Sequence, residues 1–199
     1  MRKQREIVAE LTDRQLVLNV YLSQFIMLLL AIILSFFVFD HWIDFLELFQ
    51  GNLLTVVFLS GAIATVIVMV DLLMERVFPK EWLDDGGINE RVFRGLTIPK
   101  LFLLCAVVAI AEELLFRAVI QSTFGLIIAS SVFALIHIRY LDKPVLFINV
   151  CLASFLLGGL FYWTGSITVT IFTHFLIDVI LGLIIRNRYL KQVKRSVVK

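Results

Sequence analysis

The sequence has few charged residues, and that scarcity limits the class of protein it can encode. Only 17% of its 199 residues are Asp, Glu, Lys or Arg, whereas 60% are hydrophobic. Soluble domains usually carry about 25% charged residues, so this composition excludes a soluble globular fold. We expect an all-α integral membrane protein that has the lipid bilayer, and no nucleic acid, among its partners.

Cysteine is also scarce, and both copies, Cys105 and Cys151, lie in apolar runs. Such positions suit small buried hydrophobic side chains, so we predict no structural disulfide. A secretory signal peptide is missing as well, because the first apolar run begins after about fifteen polar residues and no small-residue cleavage site follows it. We therefore expect the first helix to remain in the mature protein.

Basic residues are missing from every second connection between the apolar runs. Seventeen of the eighteen Lys and Arg residues lie near the two termini and in the connections 75–100 and 139–143. The positive-inside rule then places both termini of a polytopic helical bundle in the cytoplasm. The six predicted transmembrane helices are Leu16–Phe39, Leu53–Met74, Pro99–Gln121, Gly125–Ile138, Pro144–Trp163 and Ile167–Ile185.

No internal repeat is visible, and we predict a single integral membrane domain over residues 1–199. Its N-terminal part, 1–98, contains two spans and the long connection, which could lie flat in the interface or form a lip over a site. Residues 1–15 are predicted to form an amphipathic helix on the cytoplasmic surface. His41, in an outer connection, is interpreted as a solvated loop residue.

Three charged residues nevertheless lie inside the third apolar run: Glu112, Glu113 and Arg117. An ionisable side chain in the bilayer costs a few kcal/mol, so each is a candidate functional residue. On a helix, Glu113 and Arg117 share one face and predict a buried ion pair, whereas Glu112 points about 100° away and is available for chemistry. The alternative is a packing network without a chemical role.

Three more polar residues lie in apolar runs: His137 in the fourth run, and His174 with Asp178 in the sixth. His174 and Asp178 are one helical turn apart on the same face. Burying these groups on separate helices without a shared polar cavity would be expensive. We therefore predict a common cavity that also contains Glu112.

A carboxylate and an imidazole that converge on one water form a general base, and a second imidazole can stabilise an oxyanion. This combination of a carboxylate and two imidazoles suits amide hydrolysis. A Gly-x-Ser-x-Gly motif and a His-Glu-x-x-His motif are both missing, so we expect neither a serine nucleophile nor a cofactor. Zinc bound by Glu112, His137 and His174 remains an alternative, since two His and one Glu suffice for a catalytic site.

Three segments together resemble the motifs of a known family. Residues 112–117 resemble its EExxxR motif, 133–137 its FxxxH motif, which begins at Phe133, and 174–178 its HxxxN/D motif. The family is that of the type II CAAX prenyl endopeptidases, also called the abortive-infection or CPBP family of intramembrane proteases. The resemblance covers roughly residues 99–185, which we interpret as the catalytic core.

The resemblance implies that Glu112 and His137 activate water, while His174 and Asp178 stabilise the oxyanion. The family enzyme that processes prenylated proteins has Asn at the last position, which can donate a hydrogen bond, whereas an ionised Asp cannot. Asp178 must therefore be protonated or must orient His174.

The depth of the site poses a separate problem. Glu112 lies about 18 Å from the predicted cytoplasmic start of its helix, whereas His137 lies only about 3 Å from the predicted cytoplasmic end of its own helix at Arg139. The two meet only if the third helix starts with an interfacial turn or the connection 139–144 dips inward. Either case predicts a funnel that faces the cytoplasm.

The leading hypothesis is an intramembrane endopeptidase in the cell membrane of a bacterium, metal-independent and acting on membrane-tethered peptides, of which prenylated CAAX-type peptides are one candidate class. One alternative is a non-catalytic membrane scaffold of the same fold. Another is a proton-coupled transporter, which is disfavoured because the sequence has neither an internal repeat nor paired broken helices.

Overall fold

The computed structural model describes residues 10–197, and every regular element among these residues is helical. Most of the predicted amphipathic helix over residues 1–15 lies outside this described part. The helices are α1 (Asp13–Val38), α2 (Trp42–Glu47), α3 (Leu53–Val77), α4 (Ile88–Phe93), α5 (Ile98–Glu113), a π-helical segment (Leu114–Gln121), α6 (Ser122–Ile136), α7 (Pro144–Thr164) and α8 (Ile167–Val197). Short 3-10 turns lie at Lys80–Trp82 and Ile138–Tyr140.

Four helices are long and apolar enough to cross a membrane: α1, α3, α7 and the part of α8 over Ile167–Ser196. Their outer faces carry exposed large hydrophobic side chains, among them Phe37, Phe58 and Trp163. Such continuous apolar surface needs a lipid environment. The protein is therefore an integral membrane protein with an all-helical fold.

Several helix ends differ from the predicted ones because local capping decides them. The hydroxyl of Thr12 and the side chain of Gln15 form a capping box, so α1 starts three residues before the predicted Leu16. The predicted outer loop around His41 contains the short helix α2, although His41 itself is exposed as expected. Cys105 and Cys151 are both free, as predicted.

The predicted end of the third helix at Gln121 is wrong. The chain remains helical there and bends at Gly125, whose φ of 81° is a left-handed value that suits glycine. The predicted end of the last helix at Ile185 is also wrong, since α8 continues to Val197. The part of α8 beyond Ile185 is amphiphilic and basic, so the length of the apolar run did not predict it.

Helix α8 packs against α3, α4, α5, α7 and the π-helical segment. The hydroxyl of Ser60 on α3 donates to the Val169 carbonyl oxygen at 3.0 Å, and Ala64, one turn further along α3, is fully buried. Small residues on α3 therefore allow the close approach of α8 here. Gly182 of α8 has the ring of Phe93 above it, where a Cβ atom would lie 2.8 Å from Cε1.

The long connection between α3 and α5 is folded onto the bundle. Arg91 of α4 and Arg94, the residue that follows this helix, form ion pairs with Asp13 at 3.0 and 2.6 Å. The hydrogen bond to Asp13 raises the pKa of Arg94 above its ordinary value. Val92 is buried in a cluster with residues of α1 and α5. This connection thus joins α1 to the helix that carries the predicted site.

Gly158 of α7 lies where the helices around Arg117 come closest together. A Cβ atom there would lie 2.9 Å from Oε1 of Gln121 and 3.0 Å from Nη1 of Arg117, and it would also clash with Leu126. Gly159 has nothing within 4 Å of the corresponding position. Close packing therefore requires glycine at only one of these two positions.

We predict that Gly158→Ala lowers stability by about 1–3 kcal/mol, because overpacking displaces a buried guanidinium and its neighbours. Gly159→Ala is the matched control and should leave the melting temperature of the purified protein within about 2 °C of wild type. Thermal unfolding in the same detergent measures both. Equal melting temperatures for the two variants would contradict this packing.

Candidate active site

The third predicted span contains a change of helix type at its charged residues. Helix α5 ends at Glu113, and the next eight residues, Leu114–Gln121, form a π-helix. Such segments are rare and occur frequently at functional sites. The sequence predicts one continuous α-helix here, because the segment contains no proline or glycine that would indicate a departure from it.

The predicted ion pair between Glu113 and Arg117 is confirmed. Nε of Arg117 lies 3.2 Å from Oε2 of Glu113, and both side chains are 0% exposed. Arg117 also donates from Nη2 to the Ser154 hydroxyl at 3.0 Å and from Nη1 to Ser130 at 3.4 Å and Gln121 at 3.5 Å. A buried charge is tolerated when it is paired and its donors are satisfied, and both conditions hold here.

Phe133, the first residue of the second motif, connects this ion pair with His137. The guanidinium of Arg117 lies 5.5 Å from the centre of its ring, within the range of a cation–π contact. The centre of the Phe133 ring lies 4.7 Å from that of the His137 ring. Phe116 packs edge-to-face against Phe133 at 4.9 Å. The buried Phe133 ring therefore contacts both the Arg117 guanidinium and the His137 ring.

His174 binds the second oxygen of the Glu113 carboxylate. Its Nδ1 lies 2.9 Å from Oε1 of Glu113, and we assign the proton to Nδ1 because a carboxylate paired with arginine is an acceptor. Nε2 of His174 then faces two further carboxylates, with Oε2 of Glu112 at 3.9 Å and Oδ2 of Asp178 at 3.7 Å. Sequence reasoning missed the Glu113–His174 contact, which joins residues 61 positions apart.

Asp178 is not the residue that orients His174. The 3.7 Å separation from Nε2 is longer than a hydrogen bond, and the Asp178 side chain is 26% exposed. Orientation comes from Glu113, through the other ring nitrogen. Of the two roles considered for Asp178, the orientation of His174 therefore belongs to Glu113 instead.

Glu112 has a partner that the sequence analysis did not anticipate. Gln24 of α1 donates from Nε2 to Oε1 of Glu112 at 3.0 Å, and Glu112 is only 6% exposed. A glutamine inside an otherwise apolar span is a signal that could have indicated this contact. The first span, in which the sequence analysis placed no site residue, thus contributes directly to the site.

His137 lies at the C-terminal end of α6, where the backbone leaves the helical conformation. Its Nδ1 is 2.9 Å from the carbonyl oxygen of Phe133. The following 3-10 turn, Ile138–Tyr140, brings the buried Tyr140 back into the bundle. The connection after α6 therefore packs against the bundle through Tyr140.

A cavity of about 720 Å³ is lined by the candidate residues together with side chains from α1, α3 and α7. The predicted common cavity is therefore confirmed. Apolar side chains form most of its wall, while Asp71, Glu75 and Arg188 form one polar part of its lining, and Asn89, Arg139 and Tyr140 another. The five candidate residues that line it are Glu112, Phe133, His137, His174 and Asp178.

We also tested whether the donor set fits a metal. Within residues 10–197, no group of three or more His, Cys, Asp or Glu side chains is arranged to hold a metal ion. One ring nitrogen of His174 is occupied by Glu113, and one oxygen of Glu112 by Gln24. Zinc held by Glu112, His137 and His174, the alternative, would therefore have to bind through Oε2 of Glu112 and Nε2 of His174.

Comparison with known proteins identifies the family of this chain. The sequence profile described as type II CAAX prenyl endopeptidase Rce1-like matches residues 94–180. The uncharacterized protein YpbD from Bacillus subtilis (strain 168) is 36% identical over 175 residues, which is 88% of this chain and 93% of YpbD. The chain belongs to the Rce1-like family. No solved structure matches it significantly.

The Rce1-like profile covers all three sequence motifs and the helices that carry them, from four residues before α5 to the middle of α8. Membership places the chain in a family of membrane-bound proteases, a class of hydrolases. Helix α1, with Gln24, lies outside the matched range. The similarity to YpbD is longer, and it includes most of the N-terminal half.

We predict different stability effects for the two neighbouring glutamates. Glu113→Gln and Arg117→Met should each lower stability by about 3–5 kcal/mol, because each leaves an uncompensated buried charge. Glu112→Gln should remain near wild type, since the amide oxygen can still accept from Gln24. Chemical unfolding of the purified variants measures all three, and an equal loss in each would disprove this division of roles.

Proposed function

We propose that the protein is an intramembrane endopeptidase that hydrolyses peptide bonds of membrane-tethered substrates with a water molecule activated by protein side chains. The supporting observation is that Glu112, His137, His174 and Asp178 line one cavity inside a helical membrane bundle. Membership in a protease family supports the same reaction class. The catalytic residues proposed here are these four, with Glu113, Arg117 and Phe133 supporting them.

Glu112 and His137 are proposed to form the general base. If His137 donates from Nδ1 to the Phe133 carbonyl oxygen, its Nε2 carries the lone pair and can accept a proton. Glu112 has one oxygen held by Gln24 and the other directed towards His174. A water between Glu112 and His137 would lose a proton as its oxygen attacks the carbonyl carbon of the substrate.

His174 and Asp178 are proposed to stabilise the negative charge that develops on the substrate oxygen. Glu113 accepts from Nδ1 of His174 and Oε2 of Glu112 faces Nε2, an arrangement that suits the imidazolium form with a donor at Nε2. That donor can bind the oxyanion, and a protonated Asp178 at 3.7 Å from Nε2 can donate a second hydrogen bond to the same oxygen. When the carbonyl reforms, the C–N bond breaks and the departing amine takes the proton back from the general base.

We propose that this reaction needs no metal or other cofactor. The oxygens of Glu112 and the ring nitrogens of His174 are directed to protein groups, and the candidate ligands come from three separate helices. A site preset for zinc would usually place two histidines on one helix, as in His-Glu-x-x-His. The alternative zinc ligands would be Glu112, His137 and His174.

The proposed substrates are CAAX-type peptides that are prenylated at the membrane surface. The largely apolar lining of the cavity suits a lipid-modified chain, and the family description names prenyl endopeptidases. The polar part that contains Arg139 and Asn89 belongs to segments rich in basic residues. We therefore propose that the active site faces the cytoplasm of a bacterial cell.

The proposed topology has six crossings and cytoplasmic termini within one domain over residues 1–199. The four helices of spanning length provide four of the crossings. Helix α5 with the π-helical segment would provide another, and α6 the last. The distribution of basic residues supports this orientation.

We predict that Glu112→Gln reduces cleavage of a farnesylated fluorogenic CAAX peptide by at least about 100-fold, because the amide keeps the shape but cannot accept the proton. His137→Gln should have a similar effect. Glu81→Gln, which changes an exposed carboxylate in the connection 75–100, serves as the matched control and should retain full activity.

Initial rates with purified protein in nanodiscs measure the effect. Unchanged activity in Glu112→Gln would exclude the proposed general base. A wild-type protein that binds the peptide but does not cleave it would instead favour a non-catalytic membrane scaffold.

A further inference from the structure

Gln24 connects the first helix with the centre of the site. It lies in α1, in an apolar stretch, and it is 4% exposed. Its Nε2 donates to Oε1 of Glu112 at 3.0 Å, a contact between residues 88 positions apart. The side chain also contributes to the wall of the 720 Å³ cavity.

The other half of the Gln24 amide is unsatisfied. Among the residues that the structure describes, Oε1 of Gln24 is buried and has no hydrogen-bond partner. A buried acceptor without a partner costs about 1–3 kcal/mol, and such groups are uncommon in folded proteins. Methionine, of similar length, would fill the same space without this cost, so packing does not explain a glutamine here.

The orientation of the amide is fixed by Glu112. The reverse orientation would place two acceptors, Oε1 of Gln24 and the Glu112 carboxylate, against each other. With Nε2 bound to Oε1 of Glu112, the second oxygen of Glu112 is directed towards Nε2 of His174 at 3.9 Å. The terminal torsion of a glutamate is otherwise weakly restricted, so this donor determines where the free oxygen lies.

Glu113 is held in a comparable way but by stronger partners. Arg117 binds one of its oxygens and His174 the other. For Glu112, Gln24 is the side chain within hydrogen-bond distance in the described part of the chain. The two adjacent carboxylates are therefore oriented by different elements, one by the core motifs and the other by α1.

We propose that Gln24 is a positioning residue for the hydrolysis: its Nε2 donor holds one oxygen of Glu112 and thereby places the other for the attacking water. This inference rests on the proposed endopeptidase function. It makes α1 part of the catalytic unit, although the Rce1-like profile begins at residue 94.

The test is the full-length variant Gln24→Met, assayed with the farnesylated CAAX peptide in nanodiscs. Misplacing a catalytic group by about 1 Å can cost about 100-fold in rate, so kcat should fall by about that factor. KM should stay within about twofold and the melting temperature close to wild type, because the variant removes a donor and also removes the unsatisfied acceptor. Gln24→Asn, whose shorter amide cannot reach Glu112, should show the same loss of kcat.

Ser35→Ala is the matched control. Ser35 is also a buried polar residue of α1, but its hydroxyl binds the Ile32 carbonyl oxygen of the same helix and it does not line the cavity. Its kcat should equal that of wild type. A control that loses activity like Gln24→Met would show that any change in α1 impairs catalysis, and it would overturn the specific role of Gln24.

The remaining outcomes separate the inference from the function on which it rests. If Glu112→Gln is inactive while Gln24→Met keeps a wild-type kcat, the inference is wrong and the endopeptidase proposal stands. If Gln24→Met lowers only the melting temperature, Gln24 is a structural tether and not a positioning residue. If the wild-type protein does not cleave the peptide, both proposals fail together.

Discussion

The Glu113 carboxylate is shared by two buried partners, and the rest of the site depends on this sharing. One oxygen binds Arg117 at 3.2 Å, and the other binds His174 at 2.9 Å. A charged group without water requires this degree of compensation. Arg117 in turn needs acceptors, which Ser130 on α6 and Ser154 on α7 provide. These contacts of the buried Glu113–Arg117 pair thus join five elements: α5, the π-helical segment, α6, α7 and α8.

This arrangement gives the two adjacent glutamates different roles. Glu113 is fully enclosed and fixes the His174 ring, so that the second ring nitrogen points to Glu112 and Asp178. Glu112 borders the cavity, and within residues 10–197 its hydrogen bond is the one that its Oε1 accepts from Gln24. A site with one rigid carboxylate and one accessible carboxylate is suited to a reaction that moves a proton while its oxyanion donor stays in place.

Much of this could be predicted from the sequence, because membrane insertion makes polar residues informative. The spacing of Glu113 and Arg117 predicted their ion pair, and the cost of burying His137, His174 and Asp178 predicted a shared cavity. The π-helix could not be predicted, since apolar periodicity does not distinguish it from an α-helix. Contacts such as Glu113–His174 depend on how separate helices pack, which local sequence patterns do not encode.

The central claim is that Glu113 holds His174 by accepting a hydrogen bond from Nδ1. The chain has three histidines, so ¹⁵N-labelled histidine NMR in nanodiscs can be assigned with one substitution per residue. We predict a protonated, hydrogen-bonded Nδ1 for His174 whose proton resonance disappears or shifts strongly in Glu113→Gln, while the His41 signals do not change. A His174 spectrum that is the same in wild type and Glu113→Gln would contradict the account.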